Sequence, residues 1–247
     1  MDSLAVARSM RGSIGMLAMT WLTAPSTLEK GVAAGMPAGF AQYAVGRWGA
    51  LGDCPVDNVV GAAFFWDPAT VRGLVREGRT AIAPDAGARI WSRICAEWGD
   101  DHLDGLAGVE RLGELLEAVV DAADPANAPL FVGWRDIVDA PVGPGRTFQL
   151  AQAMRELRFS RHCVAVQAAG ISPLEAILAG PAAFSAKMFG HPEPYPDASG
   201  LGEVRAEIEA HTDRLHARDL DVLDDAQRAE LRELAKAARS HADARGA

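Results

Sequence analysis

The segment 145–189 constrains the fold of this chain more than any other stretch. Its first half predicts a helix with one apolar face, because apolar residues recur at close to helical spacing. The residues of that face are Leu150, Met154, Leu157, Val164 and Ala168. Basic side chains lie between them, at Arg155, Arg158, Arg161 and His162. Gly170 is expected to end this helix, around which the other helices are arranged.

The rest of the chain predicts further helices. Their patterns cover residues 1–23, 68–75, 88–98, 106–123, 174–178, 182–188, 203–220 and 226–238. Asp67 and Ser172, each followed by a proline, are typical helix N-caps. Segment 56–65 remains open between a short strand and a buried helix, because its periodicity does not decide. A loop is expected over 80–88, and the end of helix 226–238 is expected to fray.

The helix pattern divides into two units joined by a linker. The segments are an N-terminal helical unit 1–124, a structured linker 125–145 and a C-terminal helical unit 146–247. The linker holds Phe131 and Trp134, whose burial requires an ordered structure. The tetrapeptides 37–40 and 181–184 are similar, which favours a duplication. The alternative is that alanine-rich helix starts simply look alike.

Composition argues against several classes of protein. The chain has 247 residues, a net charge of −9 and a pI near 5.1, which argues against a broad nucleic-acid-binding surface. Cys54, Cys95 and Cys163 form no CxxC pair, which favours a reducing compartment over disulfides or a zinc site. The apolar run 14–22 is too short for a membrane span or signal peptide. We therefore expect a soluble, cytoplasmic protein without a metal or cofactor.

Arg158 and His162 form the first candidate site. They lie four residues apart, so a helix places both on one face. A histidine titrates near neutral pH and can act as an acid or a base. An arginine can hold a carboxylate or phosphate through two parallel hydrogen bonds. In the alternative interpretation, the arginine lies in solvent and the histidine is satisfied in the core.

Arg47, which follows Tyr43 by about one helical turn, is the second candidate. An arginine beside aromatic side chains can hold the anionic end of a ligand whose flat ring stacks on the aromatics. Trp21 and Trp66 could complete such a pocket. Alternatively, Arg47 closes the end of a surface helix and the tryptophans belong to the core, which is the commoner place for them.

Several stretches of the chain share their pattern with one protein family. They are residues 46–52, 59–71, 122–125 with 129–131, 155–170 and 207–215. On these stretches the chain resembles an actinobacterial family labelled helix-turn-helix or SalK-like. The resemblance implies two degenerate winged-helix units with short β wings. They would be fused in one chain around a central cleft, like the pseudo-dimer of a MarR-type regulator.

The sequence departs from the family pattern at two places. Leu157 and Ser160 stand where the family has a histidine and an aspartate, which changes the polar set around Arg158 and His162. The connection 191–202 replaces most of the second winged-helix segment. A missing wing and recognition helix argue against DNA binding.

These observations predict a mainly α-helical protein with two winged-helix-like units around a central cleft. The cleft is expected to bind an aromatic or acidic small molecule. In an enzyme, His162 would act as the acid or base without a cofactor, while Arg47 and Arg158 orient an anionic group. Nucleic acid is not an expected partner. The alternatives are a ligand-sensing, MarR-like transcriptional regulator and a structural protein that packs its charged helix 203–220 on another subunit, as in a homodimer.

Overall fold

The computed structural model describes residues 1–180 and 184–246, and every regular element within them is a helix. The first seven α-helices are α1 (Ser3–Met10), α2 (Met16–Thr20), α3 (Pro25–Ala33), α4 (Phe40–Arg47), α5 (Val56–Ala63), α6 (Pro68–Ala81) and α7 (Pro84–Leu103). The others are α8 (Val109–Ala122), α9 (Pro129–Arg135), α10 (Pro144–Ala168), α11 (Pro173–Leu178), α12 (Ser185–Met188), α13 (Gly202–Asp219) and α14 (Asp225–Ala244). The mainly α-helical class is confirmed, and the described residues contain no β wing.

Residues 3–23 form one continuous helical segment, as the sequence predicts. A π-helical turn, Arg11–Gly15, joins α1 to α2, and a 3-10 turn, Trp21–Thr23, ends the segment. Its inward positions are at most 2% exposed, at Ala7, Met10, Ile14, Leu17 and Trp21. The segment packs against α10, α13 and α14, so it forms one wall of the core.

The central element is α10, which packs against α7, α8, α9 and α13. The prediction of a single apolar face is wrong for its first half, because Gln149, Gln152 and Glu156 are also fully buried. A helix surrounded by other helices buries its polar positions too, and these then need partners inside the protein. The helix ends at Ala168, and Gly170 adopts a φ of 73°, as predicted for a glycine that ends a helix.

The structure decides the open assignment of segment 56–65 and corrects that of segment 80–88. Segment 56–65 is helical over most of its length, as α5. The predicted loop 80–88 is wrong, because α6 runs to Ala81 and α7 begins at Pro84. Proline suits the first turn of a helix, where its missing N–H needs no partner. The two helices are therefore joined by only two extended residues.

The predicted helix caps are present. The side chain of Asp67 accepts a hydrogen bond from the backbone N–H of Thr70 at 2.9 Å. Ser172 and Asp224 each form a capping box with the residue three positions later. The caps at Asp67 and Ser172 are those that the sequence predicts, and the three caps mark where α6, α11 and α14 begin.

The prediction that the last helix frays is wrong. Helix α14 continues to Ala244, and its residues Ala238 and Ala242 are fully buried. It packs against α1, α7 and α8, and these contacts hold the last turns in place. Small alanine side chains let the helices approach closely, so an alanine-rich end can be part of the core.

The core, which is the larger of two hydrophobic clusters among the described residues, runs through the chain from Val6 to Ala242, and a smaller cluster joins the end of α10 to α11 and α13. The segment 125–145 is ordered, as predicted, because α9 buries Phe131 and Trp134 in this core. Buried members thus come from all three predicted segments. The division into two units and a linker stays a prediction.

The region after α11 is described only in part. Of the predicted helix 182–188, residues 185–188 form α12. Residues 181–183, and with them most of the tetrapeptide 181–184, lie outside the described residues. Between α12 and α13 the only helical turn is Ser199–Leu201. No helix in the described part of the chain is long and apolar enough to cross a membrane.

Candidate functional site

Arg47, in the last turn of α4, points into the protein interior and is 2% exposed. Its Nε and Nη2 atoms donate hydrogen bonds to the two carboxylate oxygens of Glu156, at 2.9 and 2.7 Å. Its Nη1 atom donates to the hydroxyl of Tyr43 at 3.0 Å. Glu156 comes from α10 and is fully buried, so the two residues form a two-point ion pair in the core. Arg47 is therefore not a surface residue that closes a helix.

A second arginine shares the same carboxylate. Nη1 of Arg155 donates to Oε1 of Glu156 at 2.7 Å, and the side-chain amide of Gln152 donates to the same oxygen at 2.8 Å. The side chain of Arg155 is only 15% exposed. Two positive groups and one negative group thus meet in the interior. The cluster of Arg47, Arg155 and Glu156 carries one positive charge in excess.

The pKa values of the three groups indicate how this charge is compensated. Burial opposes ionisation of Glu156, but the charges of Arg47 and Arg155 outweigh it and hold the pKa of Glu156 below its ordinary value. Burial also opposes the charge of Arg47, but the Glu156 carboxylate raises the pKa of Arg47 above its ordinary value. For Arg155, burial prevails and the pKa is lowered. Arg155 is the less compensated cation of the cluster.

The two arginines border a cavity of about 240 Å³, which we call the aromatic cleft. Its aromatic lining consists of Phe40, Tyr43, Phe65, Trp66, Phe159 and Phe189. The rings of Tyr43 and Trp66 are stacked, with centroids 5.5 Å apart. The cleft therefore combines apolar walls with an excess positive charge in its lining, as ligand sites commonly do.

His162 lies in an adjoining cavity of about 190 Å³, which we call the His162 recess. Met19, Arg155 and Phe159 line both the recess and the aromatic cleft. The ring of Phe65 lies 5.7 Å from the imidazole of His162. The shared residues place His162 beside the cleft that Arg47 borders.

The hydrogen bonds around His162 favour one tautomer of its imidazole. The hydroxyl of Thr212 donates to the backbone carbonyl of Ile208 at 2.8 Å, so it has no hydrogen left for the imidazole. With the Thr212 hydrogen on that carbonyl, Nδ1 of His162, 2.9 Å from the hydroxyl, is the donor, and Nε2 carries the lone pair. Burial lowers the pKa of His162 to about 4. The imidazole is neutral at pH 7 and offers a hydrogen-bond acceptor.

Arg158 also lines the His162 recess but is held by carboxylates of α13. Its Nη2 atom donates to Glu209 at 3.1 Å and to Asp213 at 3.2 Å. Arg11 and Arg205 bind the same Glu209. Arg158 is thus already paired with anions, which makes it a weaker hook for an anionic ligand than Arg155.

Trp21, which the sequence assigns to the ligand site, lines neither the aromatic cleft nor the His162 recess and packs against Trp91, Trp134 and Phe148 instead. It is fully buried, and its Nε1 atom donates to the side-chain oxygen of Gln152 at 3.2 Å. Through Gln152 it supports the carboxylate of Glu156. Of the residues that the sequence assigns to a site, Arg47, Tyr43 and Trp66 line the cleft and Arg158 and His162 line the recess.

The sequence interpretation did not assign Arg155, Glu156 or Phe159 to a ligand site. One signal could have indicated them. Gln149, Gln152 and Glu156 recur at helical spacing along α10, which is typical of a polar row on one face of a helix. Whether such a row faces solvent or the core depends on the neighbouring helices. Among the described residues, no group of three or more His, Cys, Asp or Glu side chains could hold a metal ion.

Comparison with known proteins gives one match. A family model described as a helix-turn-helix family matches residues 7–198, which is more than half of the chain. No curated protein and no solved structure matches. The helix-turn-helix label of the resemblance is thereby confirmed, whereas the tandem winged-helix arrangement stays a prediction. A match to a helix-turn-helix family suggests nucleic-acid binding. It therefore does not support the expectation, drawn from the sequence, that nucleic acid is not a partner.

Proposed function

We propose that this chain, which belongs to the helix-turn-helix family whose model it matches, binds a small aromatic carboxylate in the aromatic cleft. One observation supports the proposal most: Arg47 and Arg155 share a single buried carboxylate while both line an apolar cavity. The anionic group of the ligand would bind at Arg155. Its ring would lie among the aromatic side chains.

The excess positive charge supports an anionic ligand. A buried cation without full compensation is costly, and a ligand carboxylate beside it would restore neutrality. Arg155 uses only Nη1 for Glu156, so its Nε and Nη2 atoms remain as donors. A carboxylate can accept two parallel hydrogen bonds from a guanidinium group.

The lining of the cleft supports a flat ring. Phe65, Trp66 and Phe159 offer edges and faces to a bound ring, an arrangement that stabilises aromatic pairs beyond the area they bury. Met19 and Met188 lie in the same lining and are 50% and 41% exposed. Their flexible side chains can adapt to ligands of different outline.

His162 would serve the ligand as an acceptor in the adjoining recess. The sequence proposes His162 as an acid or base. Such chemistry would use the Nε2 lone pair of its imidazole. Its lowered pKa, about 4, makes it a weak base at neutral pH. The weak basicity of His162 therefore favours binding over catalysis.

Benzoate titrated by saturation-transfer NMR tests the binding site. We expect Arg155→Gln to weaken benzoate binding by about tenfold or more, since a hydrogen bond to a charged group contributes about 1.5–3 kcal/mol. The matched control is Arg93→Gln, which removes the same charge from an exposed position on α7. Benzoate binding that is unchanged in Arg155→Gln, in a variant with the wild-type melting temperature, would contradict the proposal.

A ligand-sensing transcriptional regulator is the second candidate, and family membership favours it. Because the chain carries a net charge of −9, DNA contact would need a local basic face. An electrophoretic retardation series over increasing salt, with and without benzoate, tests this role. Salt-sensitive retardation that benzoate changes would support a regulator. If DNA is not retarded even at low salt, a regulator is excluded.

Homodimer formation also stays a prediction.

A further inference from the structure

A cavity of about 540 Å³ lies next to the aromatic cleft and has no part in the proposed function. We call it the uncharged cavity and define it by Gly61, Phe64, Leu130, Ser160 and Cys163. Phe159 lines both this cavity and the aromatic cleft. The two cavities are therefore neighbours along α10.

The described lining of the uncharged cavity contains no charged side chain. Its polar side chains are the thiols of Cys54 and Cys163, the buried hydroxyl of Ser160, which donates to the carbonyl of Glu156, and the exposed amides of Asn58, Asn127 and Gln167. An anion moved into such a site would lose its hydration without gaining a counter-ion. An uncharged ring with a polar group would bury apolar surface and keep its hydrogen bonds to the amides at the rim.

The backbone around this cavity is strained at two places. Phe64 adopts φ 45° and ψ −60°, and the N–H of Phe65 donates to the carbonyl of Ala63 at 2.6 Å. This is a three-residue γ-turn with positive φ, a rare conformation for a bulky side chain. Asn127, at φ 57°, is the other described non-glycine residue with positive φ. Both residues line the uncharged cavity, and strained backbone clusters at binding sites.

We propose that the uncharged cavity is a second binding site, which takes an uncharged aromatic ligand with an amide-like polar group. The γ-turn at Phe64 separates it from the first site. Phe64 lines the uncharged cavity, and the next residue, Phe65, lines the aromatic cleft. The two sites differ in charge, so one chain would bind two classes of ring compound.

Benzamide and benzoate are suitable probes, because they have nearly the same shape and differ in charge. Gly61 on α5 lines the uncharged cavity, and a Cβ placed there meets nothing within 4 Å. Gly61→Leu therefore meets no clash at its Cβ and would narrow the cavity at Gly61. The matched control is Gly73→Leu on α6, where a Cβ also meets nothing within 4 Å and which lines none of the cavities described above.

We expect benzamide to bind the wild type saturably, and Gly61→Leu to weaken this binding by about tenfold or more while Gly73→Leu leaves it unchanged. Arg155→Gln should leave benzamide binding unchanged as well. The melting temperature of each variant checks that it folds. Benzamide that shows no saturable binding, or that still binds Gly61→Leu at full strength, would overturn the second site. Loss of benzamide binding in Arg155→Gln would do the same, because it would place the probe in the aromatic cleft.

Discussion

Arg47 and Arg72 form two arginine–carboxylate pairs that differ chiefly in burial. The side chains of Arg47 and Glu156 are 2% and 0% exposed, whereas those of Arg72 and Asp57 are 41% and 77% exposed. An exposed pair gains little because water and salt screen it. Removing one partner of a buried pair leaves an uncompensated charge in the interior.

Arg47→Met should lower the free energy of unfolding by about 2–3 kcal/mol, because Oε2 of the buried Glu156 loses its hydrogen bond from Arg47 while Arg155 still compensates the charge. Arg72→Met should lower it by less than about 1 kcal/mol. Urea unfolding of both variants measures the difference. Similar losses in the two variants would mean that Arg47 and Glu156 are not an ion pair of the core.

His162 makes stability depend on pH. Burial lowers its pKa from 6.5 to about 4 in the folded protein. Between about pH 4 and pH 6.5, the imidazole of His162 is protonated in the unfolded chain but neutral in the folded protein. The stability conferred by the neutral imidazole is therefore complete above about pH 6.5 and is lost as the pH falls towards about 4.

His162→Gln should remove this component of the pH dependence. We expect the wild type to lose up to about 3 kcal/mol more than the variant between about pH 7 and pH 4. Glu209, which faces His162, has its pKa lowered to about 2, so its own titration adds a loss at lower pH. Urea unfolding at a series of pH values gives the comparison. Parallel curves for wild type and variant would contradict a lowered pKa.

At the level of elements, the turn that ends α5 separates the two cavities. The γ-turn at Phe64 directs two consecutive aromatic side chains into different cavities. A glycine adopts positive φ without a steric penalty, whereas any residue with a Cβ is strained there. Phe64 therefore keeps its conformation only because the surrounding structure holds it.

The strain at this turn can be measured with two variants that remove the same ring. Phe64→Gly and Phe64→Ala both lose the packing of the phenyl group. Only alanine retains a Cβ at φ 45°, so we expect Phe64→Gly to be the more stable variant by about 1 kcal/mol. Thermal or urea unfolding decides between them. An alanine variant as stable as the glycine variant would show that the turn is relaxed.

The elements themselves were largely predictable. The caps at Asp67 and Ser172, the helix stop at Gly170 and the N-terminal helical segment depend on contacts within a few residues, and each is found as predicted. The loop expected over 80–88 and the frayed end of α14 were wrong. In both cases local composition suggested irregular structure, but packing against other helices extended the regular structure.

At the level of the whole molecule, one core connects the three predicted segments. It includes buried residues from α1, α9, α10 and α14. Since each segment contributes to the same core, none can unfold without exposing apolar surface of the others. We therefore expect the chain to unfold in a single cooperative transition.

The distribution of tryptophans provides a test of this cooperativity. All six tryptophans lie between residues 21 and 134, so their fluorescence reports on the N-terminal part of the chain. Far-ultraviolet circular dichroism reports on all helices. We expect coincident urea midpoints from the two signals. Separate midpoints would show that the predicted units 1–124 and 146–247 unfold independently.

The sequence by itself determined the helical class, the approximate starts of several helices and the residue types from which a site could be built. These follow from periodicity, caps and breaks, which act over a few residues. Only the tertiary structure decided that Arg47 pairs with Glu156, 109 positions away, and that Arg155 is left with excess charge beside an aromatic cleft. A charged side chain on a helix can face water or the core with the same local pattern. The choice depends on which helices pack around it, because a buried charge is stable only where a distant partner lies within hydrogen-bonding distance.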